Sequence, residues 1–465
     1  MYPQIKVSDF AEAMAFSLEL KNNSAAATGK ELYLSIPRGA EADDIMFVIA
    51  DGLAQNKTVE KIEMGLCLVF ARGAQALFAA LEKNTTLQEL GLHCSDDGAA
   101  ALGKALASNT SLRKLSVEGR AVRELGSRSI GLALISNTTL QRLEMRNNRW
   151  GEAGGDALGH ALVLNTSLKA LKLQNCSFGS GVMRDVFWGV KLNSGLSELS
   201  ISENIGNLFS ARQDDGGMHI GDALASNGTL KNIEFSHPQL GPRGSTAVAK
   251  GLGANTSLQV LRISGDHTLG NVGAEALGGA LSINTTLKRL ALSSCSIGSR
   301  GVAGLVDGLR GNRTLEVLGL GNNKVGEGGA EVLKQALRDN ALSVQRIDLE
   351  VCGLSPGEVT CIAEGLGVNT TLAGLRMCGN VGIGVEGVEA IAGALKRNTR
   401  LHTLDMNYCI HCSGGLRAIS RALGVNSTLK ELDMAGEESE DVNNVEFGQE
   451  GGPDPNASTL NPKRH

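Results

Sequence analysis

The chain has 465 residues, a formal net charge of −5 and only 3% aromatic residues. So small a charge leaves no basic footprint for nucleic acid. No apolar run approaches the roughly 20 residues that a membrane-spanning helix needs.

Near the N-terminus, Ser8 and Asp9 can cap a helix from Phe10 to about Leu20. Phe10, Ala13, Met14 and Leu18 recur along one side of it. This helix is expected to cover the end of whatever follows, or else to dock a partner. Residues 1–30 therefore form an expected N-terminal cap. The start lacks a basic leader followed by an apolar core, so a cytoplasmic, reducing compartment is expected.

From residue 31 one pattern repeats. Leu315, Leu318 and Leu320 set an L-x-x-L-x-L frame, with Asn323 three residues further on. A Gly-rich turn spans Gly326 to Gly329, and then Val332, Leu333, Ala336 and Leu337 recur at helical spacing. Val344, Ile347 and Leu349 restart the frame, with Cys352 in the place of Asn323. The apolar period switches from two to 3.6 within one unit, which predicts a strand, a turn and a helix. An Asn-x-Ser/Thr-Leu-like start recurs from Asn56 through Asn312 to Asn426, mostly in steps of 28 or 29 residues. One unit cannot bury its apolar face alone, so the units must stack.

This pattern resembles the ribonuclease-inhibitor type of leucine-rich repeat over roughly residues 31 to 435. The same type occurs in sensor domains of intracellular immune receptors and in the GTPase-activating protein of the Ran cycle. The resemblance implies an α/β solenoid of about 15 units over residues 31–435. Parallel strands would line the concave face of a horseshoe, with helices on the convex face. Fold alone does not imply function.

Two steps break the period. The step from Leu87 to Leu112 is short. The step from Leu196 to Leu230 is long, with Phe209, Arg212, Asp214 and Asp215 in the excess. That insert is either a neutral length change or a contact loop. Residues 436–465 are polar, acidic at first, and expected to be a disordered tail.

Most chemistry-like motifs dissolve into the repeat. Gly382, Gly384 and Gly387 match G-x-G-x-x-G, but a dinucleotide site needs a doubly wound sheet around it. Cys409 and Cys412 form a C-x-x-C without a second pair to complete a zinc set. Cys67, Cys176, Cys295, Cys352 and Cys409 occupy the Asn/Cys position of the frame and are expected to be structural thiols. Trp150 precedes a turn glycine and is expected in the core. The repeated Asn-x-Ser/Thr matches are expected to serve the turns rather than to carry sugars. The chain shows no catalytic, cofactor or metal set, so a non-enzymatic, monomeric binding module without cofactors is expected.

Strand alternation places the residues flanking each leucine on the strand face. Around Arg142 to Lys172 that face is mixed and partly basic; near Ala291, Ser293, Gly319 and Gly321 it is small. From Asp348 onward it turns acidic through Glu350, Asp405, Glu431 and Asp433, with Arg376 and Asn407 among them. These seven residues are the candidate partner site. They form either a solvated face with lateral pairs such as Asp348–Arg376–Asp405, or a dock for a basic protein surface. Two other readings stand beside a binding module: an activating regulator of a small GTPase, which the family likeness implies, and a structural assembly scaffold.

Overall fold

The computed structural model describes residues 4–23, 30–36, 41–69, 71–119, 122–202, 215–409 and 413–435. The expected acidic tail, Cys412 and the insert with Phe209, Arg212 and Asp214 lie outside these residues, as does the side chain of Cys67. Asp215 opens a helix, Asp215–Ser226.

Two compact blocks, residues 1–238 and 239–465, follow one plan. In the first, nine strands from Gln4–Lys6 to Asn232–Ser236 alternate with eight helices from Phe10–Asn22 to Asp215–Ser226, among the described residues. In the second, seven helices from Gly241–Ala254 to Ser413–Leu423 alternate with seven strands from Val260–Ser264 to Glu431–Asp433. Within each block consecutive strands pair in parallel, as strand–helix–strand units require. The leucines set the register: Leu290 lies opposite Leu318, Leu318 opposite Ile347, and so on through Leu375 and Leu404 to Leu432.

The frame leucines form the core between strand and helix layers. Leu318 and Leu320 are fully buried, and so are Leu333 and Leu337 of the helix Gly326–Arg338. Trp150 is also fully buried, against Phe178, with ring centroids 6.4 Å apart.

The recurrent asparagines are buried rungs between units rather than surface turn residues. Asn312 donates from Nδ2 to the carbonyls of Leu281 and Asn284 in the unit before it. Its Oδ1 accepts from the Thr314 and Leu315 amides. The carbonyls at a helix C-terminus need partners, and the rung supplies them while closing the turn into the next strand.

A second row runs at the Asn/Cys position of the frame. Asn323 donates to the Leu292 carbonyl at 2.6 Å, and its Oδ1 accepts from the Cys295 and Ile297 amides. Cys176, Cys295, Cys352 and Cys409 take the same place, each with its thiol on a carbonyl of the preceding strand.

Many glycines serve helix contacts rather than turns. A Cβ on Gly308 would stand 1.9 Å from the Gly278 carbonyl oxygen. Strands repeat about every 4.8 Å, whereas helices are about 10 Å across. The helix row is pressed together, and only residues without a side chain fit at such contacts.

The N-terminus differs from the expected helix-only cap. Gln4–Lys6 is a strand, paired with Glu31–Ser35, so the segment has a strand and a helix like any other unit. Three residues are too short to show a period. Asp9 is the N-cap, accepting from the Glu12 amide at 2.9 Å. The helix buries Ala13, Phe16, Ser17 and Leu20, while Phe10, Met14 and Leu18 are exposed. Both sides of this helix carry apolar residues, so periodicity could not choose between them. Among the described residues, no helix is long and apolar enough to cross a membrane.

Candidate functional site

The strand face of the second block carries the candidate residues. Asp348, Arg376, Asp405 and Asp433 sit in register on four neighbouring strands. Arg376 lies in the middle of this row and holds three carboxylates at once. Its guanidinium is 3.4 Å from Asp348, 2.7 Å from Glu350 and 3.0 Å from Asp405. Partial burial opposes the charge, but the bond to Asp405 and the nearby carboxylates outweigh it and raise the Arg376 pKa.

Backbone amides fix these side chains further. Asp348 accepts from the Glu350 amide at 2.9 Å, and Asp405 from the Asn407 amide at 3.1 Å. Asn407 in turn accepts from the Ala435 amide. Glu431 and Asp433 lie exposed on the last strand and form no ion pair among the described residues. The lateral pairing Asp348–Arg376–Asp405 is therefore present. Against three carboxylates and one guanidinium, 3 − 1 leaves two net negative charges before Glu431 and Asp433, and the positive Arg346 at the start of the Asp348 strand, are counted.

The other regions are quieter. In the first block, Lys114 lies 3.9 Å from Glu89 and 4.0 Å from Glu144, and Arg146 lies 2.9 Å from Glu144. Arg142 is 3.8 Å from Glu198. The partly basic look of that stretch is thus largely offset. Gly319 lies beside Ala291, where an added Cβ would be 3.3 Å away.

The tempting motifs find structural roles. Gly387 packs on Val359 and Ile383, with an added Cβ 3.2 Å from Ile383 and 3.3 Å from Val359, so it lies at a helix contact rather than an open cradle. Cys409 is buried with its thiol 3.0 Å from the Met377 carbonyl. Among the described residues no cluster of three His, Cys, Asp or Glu could hold a metal ion.

Sequence reasoning passed over one position, the residue just before each rung of the second row. It is left-handed at Asn147, Asn175, Ser294 and Asn322, which suit that conformation, but also at Val351 and Tyr408. Aligning the units would have exposed these two as the misfits.

A family model described as Leucine Rich repeat matches residues 284–306 and 311–334. The chain is 26% identical over 259 residues to a ribonuclease inhibitor from Sus scrofa, covering 54% of each protein. It is 27% identical over 219 residues to the NACHT, LRR and PYD domains-containing protein 12 of Homo sapiens, covering 47% of the chain and 18% of that protein. It is 28% identical over 212 residues to the Centrosomal protein of 78 kDa of Mus musculus, covering 45% and 22%. The chain thus spans about half the length of the first relative and less of the others. The leucine frame, the 28-residue step between rungs and these likenesses agree: the chain is built of leucine-rich repeats and is similar to the ribonuclease-inhibitor type.

Proposed function

We propose that this protein is a non-enzymatic, monomeric interaction module that docks a basic protein surface on the acidic strand face of its second block. Asp348, Glu350, Asp405, Glu431 and Asp433 supply the charge, and Arg376 and Asn407 hold it in place. The observation that carries this reading is the imbalance at Arg376, one cation shared by three carboxylates. Like charges held this closely repel and lower stability, and a basic partner relieves that cost. The likeness to a protein named as a ribonuclease inhibitor supports a binding role. A stack of rigid units loses little ordering entropy on binding. Buried thiols with carbonyl partners suit a reducing compartment such as the cytoplasm.

The test is a partner captured by pulldown and then titrated against wild type and the triple variant Asp348→Asn, Asp405→Asn, Asp433→Asn. Affinity should fall in the variant, and the association rate of the wild type should fall as salt rises. A folded triple variant with unchanged affinity and salt dependence would place the dock elsewhere.

A further inference from the structure

Val351 and Tyr408 stand at φ 51° and 58°, in the left-handed region. A β-branched residue such as Val351 or a bulky one such as Tyr408 is strained there, because its side chain crowds its own backbone. The same position holds Ser294, Asn322 and Gly379 in other units of this block, so the fold accepts residues that relieve the strain. Strain kept where a neighbour's residue would remove it points to a use for the side chain.

Both side chains face solvent. Val351 is 48% exposed and Tyr408 53%. Backbone bonds hold Val351, Gly379 and Tyr408 in register: Val351 N–H donates to the Cys378 carbonyl at 2.9 Å, and Gly379 N–H to the Asn407 carbonyl at 2.8 Å. A Cβ on Gly379 would meet Val351 Cγ2 at 2.7 Å, so the valine lies across the glycine, in the direction of Tyr408. The result is an apolar strip along the edge of the strand face. Glu350 and Asn407 immediately precede Val351 and Tyr408 in sequence, which sets the strip against the Arg376 cluster with its surplus of negative charge.

We infer that Val351 and Tyr408 are the apolar anchors of the dock, and that the occupant is a basic protein segment whose lysines or arginines flank an exposed aliphatic side chain. The inference rests on the acidic-face reading above and adds to it a requirement for an apolar group. Carboxylates beside the strip select the flanking positive charges, and Tyr408, an aromatic at the edge of a desolvated contact, supplies the anchor. Charge alone would bring partners in quickly without choosing among them; the strip chooses.

Two synthetic peptides of equal charge test this, one of alternating Lys and Leu and one of alternating Lys and Ser. Each is titrated by fluorescence anisotropy against wild type and the Val351→Asn/Tyr408→Asn variant, with Val351→Ser/Tyr408→Ser as a second pair. Both substitutes already occupy this left-handed position in other units. Wild type should prefer the Lys–Leu peptide by about tenfold, the loss expected on removing an aromatic hot spot. Either variant should bind both peptides with the wild-type affinity for Lys–Ser. Equal binding of the two peptides by wild type, or a preference that survives in the variants, overturns the anchor role and leaves the acidic-face reading standing. Failure of wild type to bind either peptide overturns both.

Discussion

The Cys352 thiol rests 3.3 Å from the carbonyl of Leu320, one strand back, and so makes the same bond to the preceding unit that Asn323 makes to Leu292. Cysteine and asparagine are thus interchangeable holders of one buried carbonyl. Cys352→Asn should keep the fold, with a change in stability of about 1 kcal/mol or less, whereas Cys352→Ala removes the thiol donor, leaves the Leu320 carbonyl to Asn323 Nδ2 alone, and should cost about 1–2 kcal/mol through the lost bond and the small void. Urea midpoints of the two variants decide this.

Burial also pushes the Cys352 thiol up from 9.0 to about 11, and Cys176 and Cys295 to about 12. A raised folded-state value stabilises below the unfolded pKa and loses its effect as pH rises through the folded one. Thiol stabilisation should therefore be complete below pH 9.0 and decline toward pH 11 to 12. The stability of wild type relative to Cys352→Asn should fall over that window. In the native protein at neutral pH, these thiols should react slowly with a thiol reagent and label fully only in denaturant.

Asn312 satisfies four backbone groups from a site only 3% exposed. Asn312→Ala should cost about 3 kcal/mol, since several buried polar groups lose their partner together. Asn312→Asp should be no rescue, because a carboxylate cannot donate to the Leu281 and Asn284 carbonyls. Chemical denaturation of each variant is the check.

Two glycines give opposite outcomes. Gly308→Ala drives a methyl group into the Gly278 carbonyl and should cost about 3 kcal/mol, the upper range for overpacking. Gly393, inside the helix Gly384–Leu395, has nothing within 4 Å of its would-be Cβ. Gly393→Ala should gain up to about 1 kcal/mol from helix propensity. Thermal midpoints moving in opposite directions would confirm the close helix approach.

Removing the charge of Arg376 leaves Asp348, Glu350 and Asp405 facing one another. Arg376→Gln should lower stability by about 1 kcal/mol, as partly exposed ion pairs allow. The loss should be larger at low ionic strength, where repulsion is unscreened. Urea melts at two salt concentrations measure it.

The leucine frame and the Arg376 row were legible because both follow from alternation along a strand. Ile347 and Leu349 had to face inward, as did Leu375 and Met377, which turned Asp348 and Arg376 between them to the same strand face. The asparagine rungs were visible as a recurrence but not as a role. A polar residue in a turn motif looks exposed, and only the folded chain shows Asn312 turned onto Leu281. Nor could composition say that Gly278 and Gly308 touch, since residues on two different helices meet there. The strain at Val351 is likewise a property of backbone torsion, which no residue type announces by itself.

Asn312 grips the unit before it only through main-chain carbonyls, those of Leu281 and Asn284. Asn284 does the same to Leu252 and Asn255. Main-chain atoms are alike in every unit, so the joint does not ask which neighbour it receives. Excising residues 284–311, one 28-residue period, would offer Asn312 the carbonyls of Leu252 and Asn255 in place of its own, while the close helix contact at Gly278 would then have to take Ala336 instead of Gly308. A chain joined this way can grow or shrink by whole copies. Its length becomes an inheritable variable, while the choice of partner is left to a few residues on the strand face.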